Sequence, residues 1–226
     1  MKTELVDLLK MSQEQIKQKA LEISGAVELS DGNIFVEGTV PIVLVAHMDT
    51  VYTEEPKKIA DDRGKLYTPK GSKAGVGGDD RCGCYCLFTA AEWEFKPSLL
   101  FCSDEETVAN ASSSNLGCLD WSEYKCFVEI DGPGFGVFYA GSTSNKTLNK
   151  FLEDEIGLTQ LQTSFNDISN ICLPGNPPGV TLGAAYYNQH EANEEWISYF
   201  GLSVVVQTIN QIINNLHKLE YSVLEE

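Results

Sequence analysis

Ile42-Val43-Leu44-Val45-Ala46-His47-Met48-Asp49 is the stretch on which the fold turns. Five apolar residues without interruption describe a strand buried on both faces, as strands of parallel sheets are. Three further runs resemble it, at Ser98–Cys102, Lys125–Ile130 and the shorter Gly179–Leu182. Between them lie helical patterns at Arg81–Trp93, Lys146–Ile156 and Glu194–Leu219, the last interrupted by the strand-like Val204-Val205-Val206. Strands alternating with helices predict an α/β fold: a mostly parallel central sheet with helices on both faces. Upstream, helical spacing covers Thr3–Lys10 and Gln13–Ile23 with Ser12 as a cap between them. Ala26–Leu29 and Ile34–Val36 flank a Gly-containing turn and read as a hairpin. Thr53–Gly78 is a long polar excursion, and Leu173–Gly179 a loop.

The chain has 226 residues, which fits a single domain spanning 1–226. Its formal net charge of −17 disfavours nucleic acid and anionic membranes as partners. No secretory leader pattern or membrane-spanning apolar run is present, so a soluble, cytoplasmic protein is expected. The seven cysteines are odd in number and fall mostly in apolar segments, which suits reduced thiols. Cys82, Cys84 and Cys86 alternate, but on a helix alternate residues diverge, so they are not read as metal ligands.

Ligands of open α/β sheets bind beyond the carboxyl ends of the strands. There the apolar runs of this chain meet residues of metal-binding type: His47 and Asp49, then Asp104-Glu105-Glu106, then Asp131, and finally His190 after Tyr186-Tyr187-Asn188-Gln189. Asp79 and Asp80 follow Gly77-Gly78 just before a helix, where they would also serve as caps. His47 and Asp49 stand at i and i+2 of an extended segment and share a face, so Asp49 can orient the imidazole. Adjacent Glu105 and Glu106 point in different directions, leaving one for a metal and one for a proton. His217, on the polar face of the last helix, is read as structural.

These ordered elements resemble the co-catalytic zinc peptidases, a family that includes peptidase T, carboxypeptidase G and the single-domain leucyl aminopeptidases. Val45–Val51 is similar to their H-x-D-T-V segment, Gly78–Gly83 to G-x-D-D-K-x-G, and Asp104-Glu105-Glu106 to D-E-E. Asp131-Gly132 and His190–Glu194 resemble the late Asp and the H-x-x-N-E ending. The resemblance implies two Zn2+ ions, replaceable by Co2+ or Mn2+, with His47 and Asp131 on one, Glu106 and His190 on the other, and Asp79 bridging. It implies Glu105 as general base toward a metal-bridged hydroxide, Asp49 as the partner of His47, and a cis peptide after Asp79. Two departures stand out. The stretch from Gly132 to His190 is too short for the inserted dimerisation domain of peptidase T and carboxypeptidase G, and with it goes the histidine those members place over the site. Tyr186 or Tyr187 is a candidate replacement donor. Val108-Ala109 also stand where a glycine often follows D-E-E.

A carboxypeptidase anchors a free carboxylate with arginine, and arginine occurs only at positions 63 and 81. The expectation is therefore an aminopeptidase acting on short peptides. A carboxypeptidase or N-acyl amino acid deacylase on the same site is the enzymatic alternative, and a retired peptidase fold acting as a binding module is the non-enzymatic one. Asp80, Asn166, Asp167 and Glu191 are candidates to receive a substrate ammonium, although Asn166-Asp167 equally suit a turn. Oligomeric state is not legible.

Overall fold

The computed structural model describes residues 2–106, 113–162 and 167–216. In chain order the strands are β1 (Ala26–Glu28), β2 (Ile34–Val36), β3 (Val40–His47), β4 (Ala60–Asp62), β5 (Lys65–Tyr67), β6 (Pro97–Cys102), β7 (Cys126–Pro133), β8 (Val137–Ala140), β9 (Thr159–Gln162), β10 (Gly179–Tyr187) and β11 (Trp196–Ser198). The helices are α1 (Lys2–Leu8), α2 (Gln13–Leu21), α3 (Gly78–Ala90), α4 (Lys146–Phe151), α5 (Ile168–Ile171) and α6 (Tyr199–Asn215).

Strands β6, β3, β7 and β10 lie side by side and parallel, and they are the four apolar runs of the sequence. Both faces of this centre are covered. Along β3, Ile42, Leu44 and Ala46 enter the larger core with α1, α2, α3 and α6, whereas Val43 and Val45 enter a smaller one with Trp121, Phe127, Ile168 and Ile171. The alternation follows from the two-residue period of a strand, and each such side chain contributes about 1.5–3 kcal/mol by leaving water. The expected parallel sheet is thus its four-stranded centre. The periphery is mostly antiparallel: β2 on β6, β1 on β2, β8 and β11 on β10, then β5 and β4, with β9 alone added parallel, to β8, which makes the whole sheet mixed.

Ser12 caps α2 as expected, its hydroxyl accepting from Gln15 N–H at 3.3 Å while Gln15 Oε1 accepts from Ser12 N–H at 2.9 Å. The last helix starts later than its spacing suggests. Trp196–Ser198 pair with β5 and β10 as β11, and the Ser198 hydroxyl caps α6 by accepting from Gly201 N–H at 3.0 Å. Sheet pairing outweighs local helix propensity there, whereas Val204-Val205-Val206 lie within α6. Strand β10 runs past its apolar core to Tyr187. Its register against β7 shifts between Leu182 and Tyr186, where Ala185 stands at φ 63°. His217, Val108 and Ala109 lie outside the described residues. Among the described residues, no helix is long and apolar enough to cross a membrane.

Candidate metal centre at the strand ends

His47 closes β3, Asp131 lies near the end of β7, Glu105 and Glu106 follow β6, and His190 follows β10. Asp79 enters from the start of α3, where Asp79 and Asp80 keep non-helical dihedrals and the peptide between them is cis. The structure brings these residues together. Asp79 lies between the two imidazoles, with Oδ1 3.0 Å from His47 Nε2 and Oδ2 3.2 Å from His190 Nε2. His47 Nε2 is also 3.6 Å from Asp131 Oδ1, and His190 Nε2 is 2.8 Å from Glu106 Oε1. Two overlapping donor groups result, His47–Asp79–Asp131 and Asp79–Glu106–His190, each with its ligand atoms within 4.8 Å of one another. Glu105 stands beside both through His47 and Glu106.

Asp49 is buried beneath this cluster and organises two strand ends at once. One oxygen is 3.2 Å from His47 Nδ1 and accepts from Glu105 N–H at 3.0 Å, and the other accepts from Glu106 N–H at 2.9 Å. Asp104, at φ 58°, makes the turn into Glu105 and accepts from the Gln13 side chain at 3.1 Å. His190 is likewise left-handed, at φ 67°, a backbone state that costs a non-glycine residue about 1–2 kcal/mol. Such strain at a cluster of reactive groups is typical of functional sites.

Two supporting residues escape a reading of the sequence alone. Arg81, though inside a recognised element, is buried, and its guanidinium donates to the carbonyls of Met48, Asp49 and Met11. It therefore satisfies the backbone just beyond His47. Glu195 is also buried and accepts from the N–H groups of Gly77 at 3.0 Å and Gly78 at 2.8 Å. Its signal was a Gly-rich turn with bare N–H groups and a surplus acid in the His190 segment.

Of the candidate substrate contacts, several have other engagements. Asp80 is completely buried and accepts from Gly83 N–H at 2.8 Å and His47 N–H at 3.3 Å, so it supports backbone rather than facing a ligand. The Tyr186 hydroxyl donates to Asp131, within 2.9 Å of its carbonyl and 3.0 Å of its carboxylate. Tyr187 stacks on Trp196 with centroids 4.1 Å apart. Asp167 is buried immediately before α5, against Ser113 and Cys102, and does not reach the surface. Asn166 lies outside the described residues, while Glu191, next to His190, is exposed. Cys82, Cys84 and Cys86 are buried free thiols, and no cysteine belongs to the donor groups found among the described residues. A cavity of about 740 Å³ lined by Tyr85, Phe88, Leu99 and Tyr199 lies away from all these residues, toward the amino end of β6.

The electrostatics reflect acids crowded around two imidazoles. Burial pushes Glu105 up to about 8, opposed by His47 and reinforced by Asp131, Asp167 and Glu106. Asp131 is raised by burial and by Asp79, whereas Asp79, despite burial, is held low by hydrogen bonds to His190 and His47. Burial opposes protonation of His47, yet Asp131, Asp49 and Asp79 lift it well above the usual histidine value. The hydrogen bond to Asp79 raises His190 to about 9, with burial opposing and Glu106 assisting. Both Glu105 and His190 therefore bind protons more tightly in the folded state, and metal-free stability should fall as pH rises: from 4.5 to about 8 for Glu105 and from 6.5 to about 9 for His190. Melting curves of chelator-treated protein across that range check this, and a midpoint that climbs with pH would contradict it.

No protein-family model and no curated protein sequence matches the chain. Solved structures do. Aminopeptidase PepT from Bacillus cereus superposes with a TM-score of 0.71 at 13% identity, covering 95% of this chain and 97% of that one. A tripeptidase from Staphylococcus aureus gives 0.70 at 12% identity over 95% and 97% of the two chains. The chain has the fold of these peptidases. A putative zinc-dependent exopeptidase from Bacteroides vulgatus is a looser match, with a TM-score of 0.52 at 15% identity over 89% and 84%. The architecture implied by the ordered motifs is the one observed.

Proposed function

We propose that the chain is a single catalytic unit that hydrolyses amide bonds of short peptides with two zinc ions, releasing residues from the amino terminus. The observation that carries this reading is the Asp79 carboxylate, which turns one oxygen to each of two imidazoles that each have a further carboxylate alongside. The donor set fits the metal: mixed imidazole and carboxylate groups suit zinc, with cobalt or manganese as substitutes. His47, Asp79 and Asp131 would hold one ion, and Asp79, Glu106 and His190 the other. The acids that resist ionisation in the bare protein are those that nearby cations would bring into their charged form.

When bound, the ions lower the pKa of water and polarise the scissile carbonyl. Glu105 takes the proton that the attacking water loses and passes it to the leaving amine. Asp49 keeps His47 in one ring orientation by its contact at Nδ1, leaving Nε2 toward Asp79 and Asp131. Tyr186, bonded to Asp131, steadies that carboxylate.

Cleavage from the amino terminus is supported by the fate of both arginines. Arg81 is spent on backbone carbonyls, and Arg63 is exposed on the β4–β5 turn beside Asp62, so neither stands ready for a substrate carboxylate. Glu191 remains the candidate partner for the ammonium. The buried thiols suit a cytoplasmic setting. Acetylating a short peptide should suppress its cleavage by about tenfold, because the amide no longer supplies the charged donor that Glu191 would meet. Amidating its carboxyl terminus should matter little. The reverse pattern would make the protein a carboxypeptidase, and release of the acetyl group itself a deacylase.

A further inference from the structure

We infer that Glu195 is a positioning residue that holds the His190 segment in register with the Asp79 turn and so sets the geometry of one metal position selectively. The inference rests on the two-metal reading proposed above.

The two donor groups share Asp79 but are held together differently. His47 and Asp131 extend from the parallel strands β3 and β7, and the turn carrying Asp79 is tied to β3 through its neighbour Asp80, which accepts from the His47 and Gly83 backbone N–H groups. His190 has no such scaffold. It belongs to an irregular segment between β10 and β11 and adopts a left-handed backbone. That segment is fastened to the Thr68–Gly78 excursion at successive points. Thr68 Oγ1 donates to Ala192 O at 3.0 Å, Gly71 N–H donates to Asn193 Oδ1 at 2.9 Å, and Gly77 and Gly78 N–H donate to the Glu195 carboxylate.

Glu195 is the innermost of these ties and the charged one. Its bonds fall on the two residues immediately before Asp79, while its own N–H donates to Glu191 O at 2.8 Å, one residue from His190. The neighbouring glycines fit the arrangement. A side chain on Gly75 would collide with Glu195 Oε2 and the Tyr52 hydroxyl, and one on Gly78 would press on Tyr186 and Ile197. The bare positions 75 and 78 thus admit the Glu195 carboxylate from one side and the β10–β11 ladder from another.

Glutamine at 195 keeps one acceptor and turns an N–H2 donor toward a second N–H donor, so one tie becomes repulsive. Partners of metal ligands typically account for ten- to a hundredfold of metal affinity. In Glu195→Gln, one of two zinc equivalents should therefore weaken by about that factor while the other changes little. Zinc titration of the chelator-treated full chain, followed by calorimetry, reads this directly. Equal weakening of both equivalents, or of neither, overturns the inference. A wild-type protein that takes only one equivalent refutes the two-metal reading itself, and the inference with it. If the variant does not fold, hydrogen exchange of the metal-free wild type decides. Protected Gly77 and Gly78 amides uphold the tie, and amides that exchange like exposed ones overturn it.

Discussion

Glu105→Gln should keep its fold and its metals and yet lose a hundred- to ten-thousandfold in turnover, the usual weight of a general acid–base group. The reason is specific to where Glu105 stands. Its carboxylate lies beside His47 and Glu106 but outside the two groups that share Asp79, so the amide removes a proton acceptor without removing a ligand from either group. Burial and the surrounding acids already raise its proton affinity, which favours a group that must pick up a proton and return it. Steady-state rates on a tripeptide, alongside metal content and a melting curve, separate this outcome from unfolding. Turnover within a fewfold of wild type would remove Glu105 from the mechanism.

The second large effect concerns metal removal. Without cations, Asp79, Asp131, Glu105 and Glu106 surround two imidazoles; burial acts to raise all four, and all but Asp79, which its two histidines hold low, are raised overall. On the two-zinc reading, zinc would relieve that crowding in the folded arrangement alone, so it should raise the melting temperature with concentration. Free zinc at about a hundred times its dissociation constant adds about 2.7 kcal/mol per site, or about 5–10 °C for each site in a chain of this size. Chelator-treated protein that melts at the same temperature with and without added zinc would show that no cation site exists there.

Why the sequence disclosed so much of this centre, and so little of its surroundings, has a physical basis. Ile42–Ala46, Leu99–Cys102 and Cys126–Ile130 are buried on both faces and, apart from Glu129, apolar, and that near-continuity marks each strand end along with the His47, Glu105 and Asp131 regions beyond it. Trp196–Ser198 carry no such mark. Three residues in a largely helical pattern become a strand only because β5 and β10 offer free edges, which is decided by parts of the chain far away. Polar side chains are harder still, since residue type does not reveal the partner. Asp80 and Tyr186 look as suitable for a ligand as Glu191 does, yet the first is bonded to backbone N–H groups and the second to Asp131. Arg81 and Glu195 went unrecognised for the same reason, as their partners are main-chain atoms without any side-chain signature.

The cluster draws its members from positions 47 to 190, across four parallel strands whose neighbours are distant in the chain. Parallel pairing of that separation must close long loops before it is rewarded, which makes such contacts slow to form. No local piece of the chain holds more than part of the donor set. The two donor groups are therefore assembled late on the folding pathway, by a sheet whose long-range pairing is already in place. A nascent chain still lacking His190 would already carry His47, Asp79 and Asp131 on or beside β3 and β7, so of the two donor groups Asp79–Glu106–His190 is the one completed last.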